Sequence, residues 1–403
     1  MAGSSPAVAT IYTAMIVPET FCALAYNGIS VNQDGSLDPC CQYRPDQPNA
    51  IKFTDYKTFV NTVRRQMHED HIAGRKHLGC RKCWHEEELG LKSLRYYSNT
   101  QWYKDNATPE VSEHNPLLDI ELRFGNTCNL KCMMCTPKAS SALYVERLQN
   151  SQLFQQTNVP GLMVMHEKIP EWWIDQEFKD FSTKLFADAV RVNITGGEPF
   201  MIGATVDVME TLMPRRDSVK LCFNTNLTKL PVAIQQRLSL FKHVTLSVSL
   251  EGIGSMAEYL RYPCKWSEVD SNIQKVIDIL GVESIFVNHT LQHGSIYSLP
   301  ALAEYCHSHR IKIHFTMVQG IDCLSLHSVP RADCDKFLHW LDSTESLPTN
   351  DKNFLRNGIL ASEFNQDQYQ NFRRYVDVLD QIRNTSWDSV FSPSPVDHFT
   401  LEF

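Results

Sequence analysis

Six short runs of apolar or alternating residues recur through the middle of this chain, at 118–124, 189–195, 219–225, 243–250, 284–291 and 311–318, each separated from the next by a helix-length segment. The first alternates cleanly. Leu118, Ile120, Leu122 and Phe124 fall on one side, and Asp119, Glu121 and Arg123 on the other, the period of a strand with one buried face. The intervals carry helical patterns, clearest at 202–213, 231–241, 267–280 and 299–309. Strand–helix alternation repeated six times predicts an α/β fold of parallel strands curled into a partial (β/α)6 TIM-like barrel. A flat doubly wound sheet satisfies the same periodicity and is the rival arrangement.

The 403 residues suffice for one large α/β domain and a smaller appendage. The predicted divisions are a Cys-rich amino-terminal region at 1–114, the alternating core at 115–325, and a helical extension with a tail at 326–403. The interval 137–188 is oversized, with room for two helices and a loop that would lie over the first strand end. Its Trp172–Trp173 pair reads equally as core or as a substrate wall. No run of 18 apolar residues exists, so no membrane span is expected. A net charge of −8 argues against general binding to a nucleic-acid backbone. No Lys or Arg precedes the apolar stretches of 1–17, which argues against a secretory signal. Thirteen cysteines, an odd total that includes two C-x2-C pairs, fit metal or cluster binding in the reducing cytoplasm better than a disulfide framework.

Polar, glycine-bearing sequences follow the predicted strands in order. The first strand runs into Cys128, Cys132 and Cys135, three thiols on one loop in C-x3-C-x2-C spacing. Three cysteines leave one iron of a four-iron cluster open to another ligand. The alternative is three buried apolar cysteines, which the interleaved Asn129 and Lys131 disfavour. After the second strand comes Thr195–Gly196–Gly197–Glu198–Pro199, and after the third Asn224–Thr225–Asn226. The fourth ends in Ser249–Leu250–Glu251–Gly252 and the fifth in Thr290–Leu291–Gln292–His293–Gly294. Ligands of parallel α/β proteins bind at such carboxyl ends. His289 and His293 read more simply as packed residues than as catalytic ones.

Residues 115–320 resemble the radical S-adenosylmethionine (SAM) core, on the cysteine triad together with Gly196–Gly197–Glu198–Pro199. The resemblance implies a 4Fe–4S cluster on Cys128, Cys132 and Cys135 whose open iron chelates SAM. It further implies reductive cleavage of SAM to a 5′-deoxyadenosyl radical that takes hydrogen from a substrate, with flavodoxin or ferredoxin as electron donor. Gly196, Gly197, Glu198, Asn224, Asn226, Ser249 and Arg261 are the expected SAM-binding set. Glu251–Gly252 stands where similar proteins often carry Asp–Gly. A peptide or protein substrate is favoured over a sugar or nucleotide, and nucleic acid is disfavoured. A non-catalytic cluster-binding protein is the reading from a different class.

The amino-terminal cysteines form a second set. Cys22, Gly35 and Cys40 match the C-x(n)-G-x4-C element of the auxiliary-cluster domains called SPASM and twitch, and Cys80 and Cys83 follow in C-x2-C spacing. The resemblance implies a second iron–sulfur cluster on Cys22, Cys40, Cys80 and Cys83. Here the element precedes the core, whereas it usually follows it. Cys41 competes with Cys40 for the same place. Zinc is the alternative, with His71, His77 or His85 able to replace a thiolate.

Overall fold

The computed structural model describes residues 18–46, 50–88, 92–102, 114–162, 169 and 171–391. The chain divides into two compact units, one from the described parts of 1–29 and 37–115, the other from 30–36 and the described parts of 116–403. The described part of 326–403 lies in the same unit as the core strands.

The smaller unit is mainly helical. Tyr56–Phe59, Val60–Arg64 and Arg65–Ile72 run on without a break, and Arg81–Glu88 and Leu94–Trp102 follow. Its core gathers Phe21, Cys22, Tyr26, Tyr43, Met67, Cys80 and Trp84.

Six parallel strands carry the larger unit: β1 (Asp119–Phe124), β2 (Arg191–Gly196), β3 (Lys220–Thr225), β4 (His243–Ser249), β5 (Ile285–Leu291) and β6 (Lys312–Met317). Each lies within two residues of its predicted bounds. They pair in sequence order, β1 to β6. Because right-handed crossovers that always step the same way put their helices on one face, sequential order excludes the doubly wound rival, which needs a reversal. β1 and β6 are not paired with each other among the described residues, so the six strands form an open sheet.

The register separates two faces. Ile120, Leu122, Val192, Ile194, Leu221, Phe223, Leu246, Val248, Ile285 and Val287 share one and are buried. Helices such as Trp266–Leu280 cover it with a stripe of Val269, Ile273 and Val276. Burying each such side chain contributes roughly 2 kcal/mol. Glu121, Asn193, Cys222, Asn224, Ser247, Ser249, Asn288 and Thr290 alternate with them on the opposite face. That face is polar, and several of its members retain solvent contact.

Trp172 belongs to the apolar side. It is 4% exposed, packs with Phe124 and Phe178 at ring separations of 5.6 and 4.7 Å, and donates its indole N–H to the carbonyl of Gln33 (2.8 Å). The fold uses it as core.

Candidate metal and cofactor site

The cysteine loop leaves β1 at its carboxyl end and is fastened at several points. Ser140 caps the helix Ser141–Gln149 by accepting from Leu143 N, and its own hydroxyl donates to Leu130 O (2.6 Å). Ser141 N donates to Asn126 O (2.7 Å). On another edge Lys131 N and Met133 N donate to Tyr262 O and Leu260 O, at 2.6 and 3.0 Å. The start of the predicted insertion therefore braces the loop.

The loop following β2 locks against it. Glu198 N donates to Thr127 O (2.7 Å). A side chain on Gly197 would drive its Cβ into Thr127 O, and Gly196 adopts φ +130° with Phe124 O 2.6 Å from where a Cβ would stand. Both positions therefore require glycine so that two strand-end backbones can touch. At these two positions of the expected SAM-binding set, the glycines serve packing of chain on chain.

Glu198 is fully buried. Its Oε1 accepts from Phe200 N (3.1 Å) and Thr225 Oγ1 (2.6 Å), and its Oε2 from Asn226 N (2.7 Å). Burial pushes its carboxyl up to about 7, against three hydrogen bonds that favour the ionised form. The side chain thereby ties the β2 loop to the end of β3. Asn226 passes the connection on: its Oδ1 accepts from Thr228 N and Oγ1, and its Nδ2 reaches Asn129 Oδ1 (3.3 Å) and Cys128 Sγ (3.7 Å). Asn224 is exposed and Ser249 half-buried, both on the polar face of the sheet.

Arg261 is fixed by a two-pronged ion pair with Glu251, Nε on Oε2 and Nη2 on Oε1 (2.8 Å). Its remaining nitrogen, Nη1, lies 3.6 Å from Cys132 Sγ. The carboxylate that holds Arg261 is thus one of the chain's own, and Glu251, the departure from Asp, is its partner. Cys128 Sγ also accepts from Leu130 N (3.5 Å).

Cys128, Cys132 and Cys135 share one small apolar cluster with Leu130 and Cys264. Burial is the main cause that raises all three thiols, Cys135 to about 11. Cys132 feels both other cysteines of the triad, and Cys135 feels Cys128. Among the described residues, no three His, Cys, Asp or Glu side chains converge tightly enough to hold a single ion. A four-iron cluster is several atoms wide and takes each thiolate on a different iron, so thiols that hold one stand apart. Three thiols on one braced loop, with an amide, a backbone N–H and a guanidinium aimed at sulfur, fit such an anionic group. Cys264 donates its thiol to Ala257 O (3.4 Å) and is thereby occupied.

His289 and His293 are buried and neutral. His289 Nδ1 meets Leu250 O (3.1 Å); His293 Nδ1 meets Ser328 Oγ (2.8 Å), and its ring stacks on Phe372 at 3.6 Å. Burial lowers them to about 4 and about 3. Both are packed residues.

In the smaller unit, Cys22 and Cys80 lie in the core and Cys40 packs against it. Burial pushes Cys22 up to about 12, with Cys83 adding to it, while Cys40 is raised by burial with Cys41, Cys22 and Cys80 as neighbours. Cys22 thus has Cys83 as a neighbour, and Cys40 has Cys41, Cys22 and Cys80, though among the described residues no three of these thiols converge tightly enough to hold a single ion. Of the three histidines considered as substitutes, His71 is fully buried with Nε2 4.0 Å from Cys80 Sγ. His77 spends both nitrogens on Asp70 (2.7 Å) and Tyr43 (3.3 Å), and His85 is exposed.

No protein-family model and no curated protein matches the chain. Solved structures similar to it include SuiB of Streptococcus suis bound to S-adenosylmethionine, at 14% identity and a TM-score of 0.36, covering 78% of this chain and 66% of that one. Another is anSMEcpe with bound AdoMet, at 15% identity and a TM-score of 0.37, covering 54% of this chain and 58% of that one. TYW1 with a lysine–pyruvate adduct bound matches at 14% identity and a TM-score of 0.29, covering 54% of this chain and 70% of that one. The chain spans 58 to 66% of the length of the first two. At these values the likeness is distant. No helix among the described residues is long and apolar enough to cross a membrane.

Proposed function

We propose that the chain is a radical SAM enzyme, with a 4Fe–4S cluster on Cys128, Cys132 and Cys135. The observation that carries this reading is the joint bracing of the cysteine loop by Gly197, Glu198, Asn226 and Arg261. Residues that follow three successive strands, β2, β3 and β4, meet the loop of three thiols that follows β1. A cluster held by Cys128, Cys132 and Cys135 would, when reduced, supply the electron for reductive cleavage of a C–S bond of SAM and so for hydrogen abstraction from the substrate.

The protein's own share of the chemistry is orientation and electrostatics. Asn226 and Leu130 donate toward Cys128, and Arg261 toward Cys132, which favours the thiolate form that iron requires. Backbone at Gly196–Gly197, together with Asn224 and Ser249 on the polar face, is available for the amino acid and ribose parts of SAM. Glu198 acts as the brace beneath that ligand, since its oxygens are taken. A substrate would lie along the polar face of the open sheet. We place a second iron–sulfur cluster on Cys22, Cys40, Cys80 and Cys83, and favour a peptide or protein substrate.

Anaerobic reconstitution with iron and sulfide tests the reading. About eight irons per chain, with a reduced-cluster electron paramagnetic resonance (EPR) signal that changes on adding SAM, is expected. About four would leave the first cluster alone. Stoichiometric zinc at the amino-terminal set would reassign it, and no iron at all would sink the proposal.

A further inference from the structure

Cys132 is the most enclosed thiol of the triad, and the backbone N–H and C=O groups of its two neighbours, Lys131 and Met133, are fixed by four hydrogen bonds. Two have been described, from Lys131 N and Met133 N to the 260–262 segment. The other two come from the helix Gln366–Arg383. Tyr375 Oη donates to Met133 O (2.8 Å), and Arg383 Nη2 donates to Lys131 O (2.7 Å).

Both donors are held from behind. Arg383 is paired with Glu146 through Nε (3.2 Å) and Nη2 (2.7 Å), with side chains only 2% and 4% exposed. Arg147 donates Nη2 to Tyr375 Oη (2.7 Å) and lies 3.9 Å over the Phe154 ring. A phenol that accepts from a guanidinium is a stronger donor to the next acceptor. Arg147 Nε and Nη1 are buried without a hydrogen-bond partner. A buried guanidinium this poorly compensated is costly, and an anionic cluster beyond Met133 would offset part of that cost.

The helix is built to deliver these groups. Asn365 caps its start by accepting from Gln368 N, Asn384 ends it in the left-handed region at φ 50°, and Phe372, Tyr375, Val376, Leu379 and Arg383 form its buried stripe. The same helix uses Asp380 to accept from Tyr259 Oη (2.8 Å), which ties it to the segment that also bonds the loop.

We propose that Tyr375 and Arg383 are positioning residues of the cluster site, holding the carbonyls that flank Cys132 and so setting where its sulfur stands. This rests on the radical SAM reading above. The test compares anaerobically reconstituted wild type with Tyr375→Phe, Arg383→Gln and Arg383→Lys. Midpoint potential, reduced-cluster EPR and the rate of iron loss to a chelator are followed, with melting of the metal-free proteins alongside. Tyr375→Phe and Arg383→Gln are expected to shift the potential and the EPR signal and to speed iron loss by about tenfold. Arg383→Lys restores part of each. Because Tyr375→Phe strips Arg147 of its acceptor, Arg147→Met combined with Tyr375→Phe provides a second variant without that orphaned donor, and the same shifts are expected of it. Unchanged cluster properties in the variants, whatever happens to metal-free melting, overturn the proposal while leaving the radical SAM reading intact. A wild type that forms no cluster overturns both.

Discussion

Glu198 and the residues it touches show how a site can depend on a side chain that need not meet the ligand. Its carboxylate takes three hydrogen bonds from the β2 and β3 loops. Glu198→Gln keeps the shape but turns an N–H toward a neighbouring donor, which should cost about 2 kcal/mol by denaturant unfolding. Unchanged stability would mean that the brace is not required. Cys132→Ala should lower iron by about one cluster and abolish SAM cleavage, because two thiolates do not hold a four-iron cluster; retained iron would exclude Cys132 as a ligand. At this scale the sequence was informative about place and less so about role. The Gly–Gly–Glu run was legible as the loop at a strand's carboxyl end. That its glycines serve backbone contact, and its glutamate a buried brace, depends on what stands opposite them in space.

Among the elements, the strands were legible because their alternation records which face of the sheet each residue takes, Ile120 and Leu122 on the apolar face against Glu121 and Arg123 on the polar one. Sequential order, which separates the open sheet from its rival, has no local signature and emerges only from pairing. The carboxyl-terminal helix was legible as a helix and silent as a partner. Its Tyr375 meets a carbonyl 242 residues away, a distance over which periodicity carries no information. The loop-on-loop contact gives a prediction here. Gly197→Ala forces Cβ against Thr127 O, so the cysteine loop must move; a loss of about 1–3 kcal/mol and impaired cluster loading are expected. Wild-type iron content in that variant would show that the loop tolerates the shift.

For the whole molecule, acid stability reports on the packed histidines. His293 is held near 3 in the folded chain against an unfolded value of 6.5. A base with a depressed folded value contributes stability above the unfolded value and loses it as pH falls toward the folded one. Between pH 7 and pH 4 this amounts to about 3 kcal/mol, so His293→Gln should show a pH dependence shallower by that amount in denaturant titrations. An identical slope would place the burden elsewhere. The second cysteine set allows a functional dissection. Cys80→Ala should leave uncoupled SAM cleavage largely intact while abolishing turnover of the true substrate. Loss of both would make that set structural.

The most direct measurement is SAM cleavage by the reconstituted protein under strong reductant without added substrate. Formation of 5′-deoxyadenosine, absent when Cys128, Cys132 or Cys135 is replaced by Ala, is the predicted result. An iron-replete protein that binds SAM and yields no 5′-deoxyadenosine would contradict the assignment as a radical SAM enzyme.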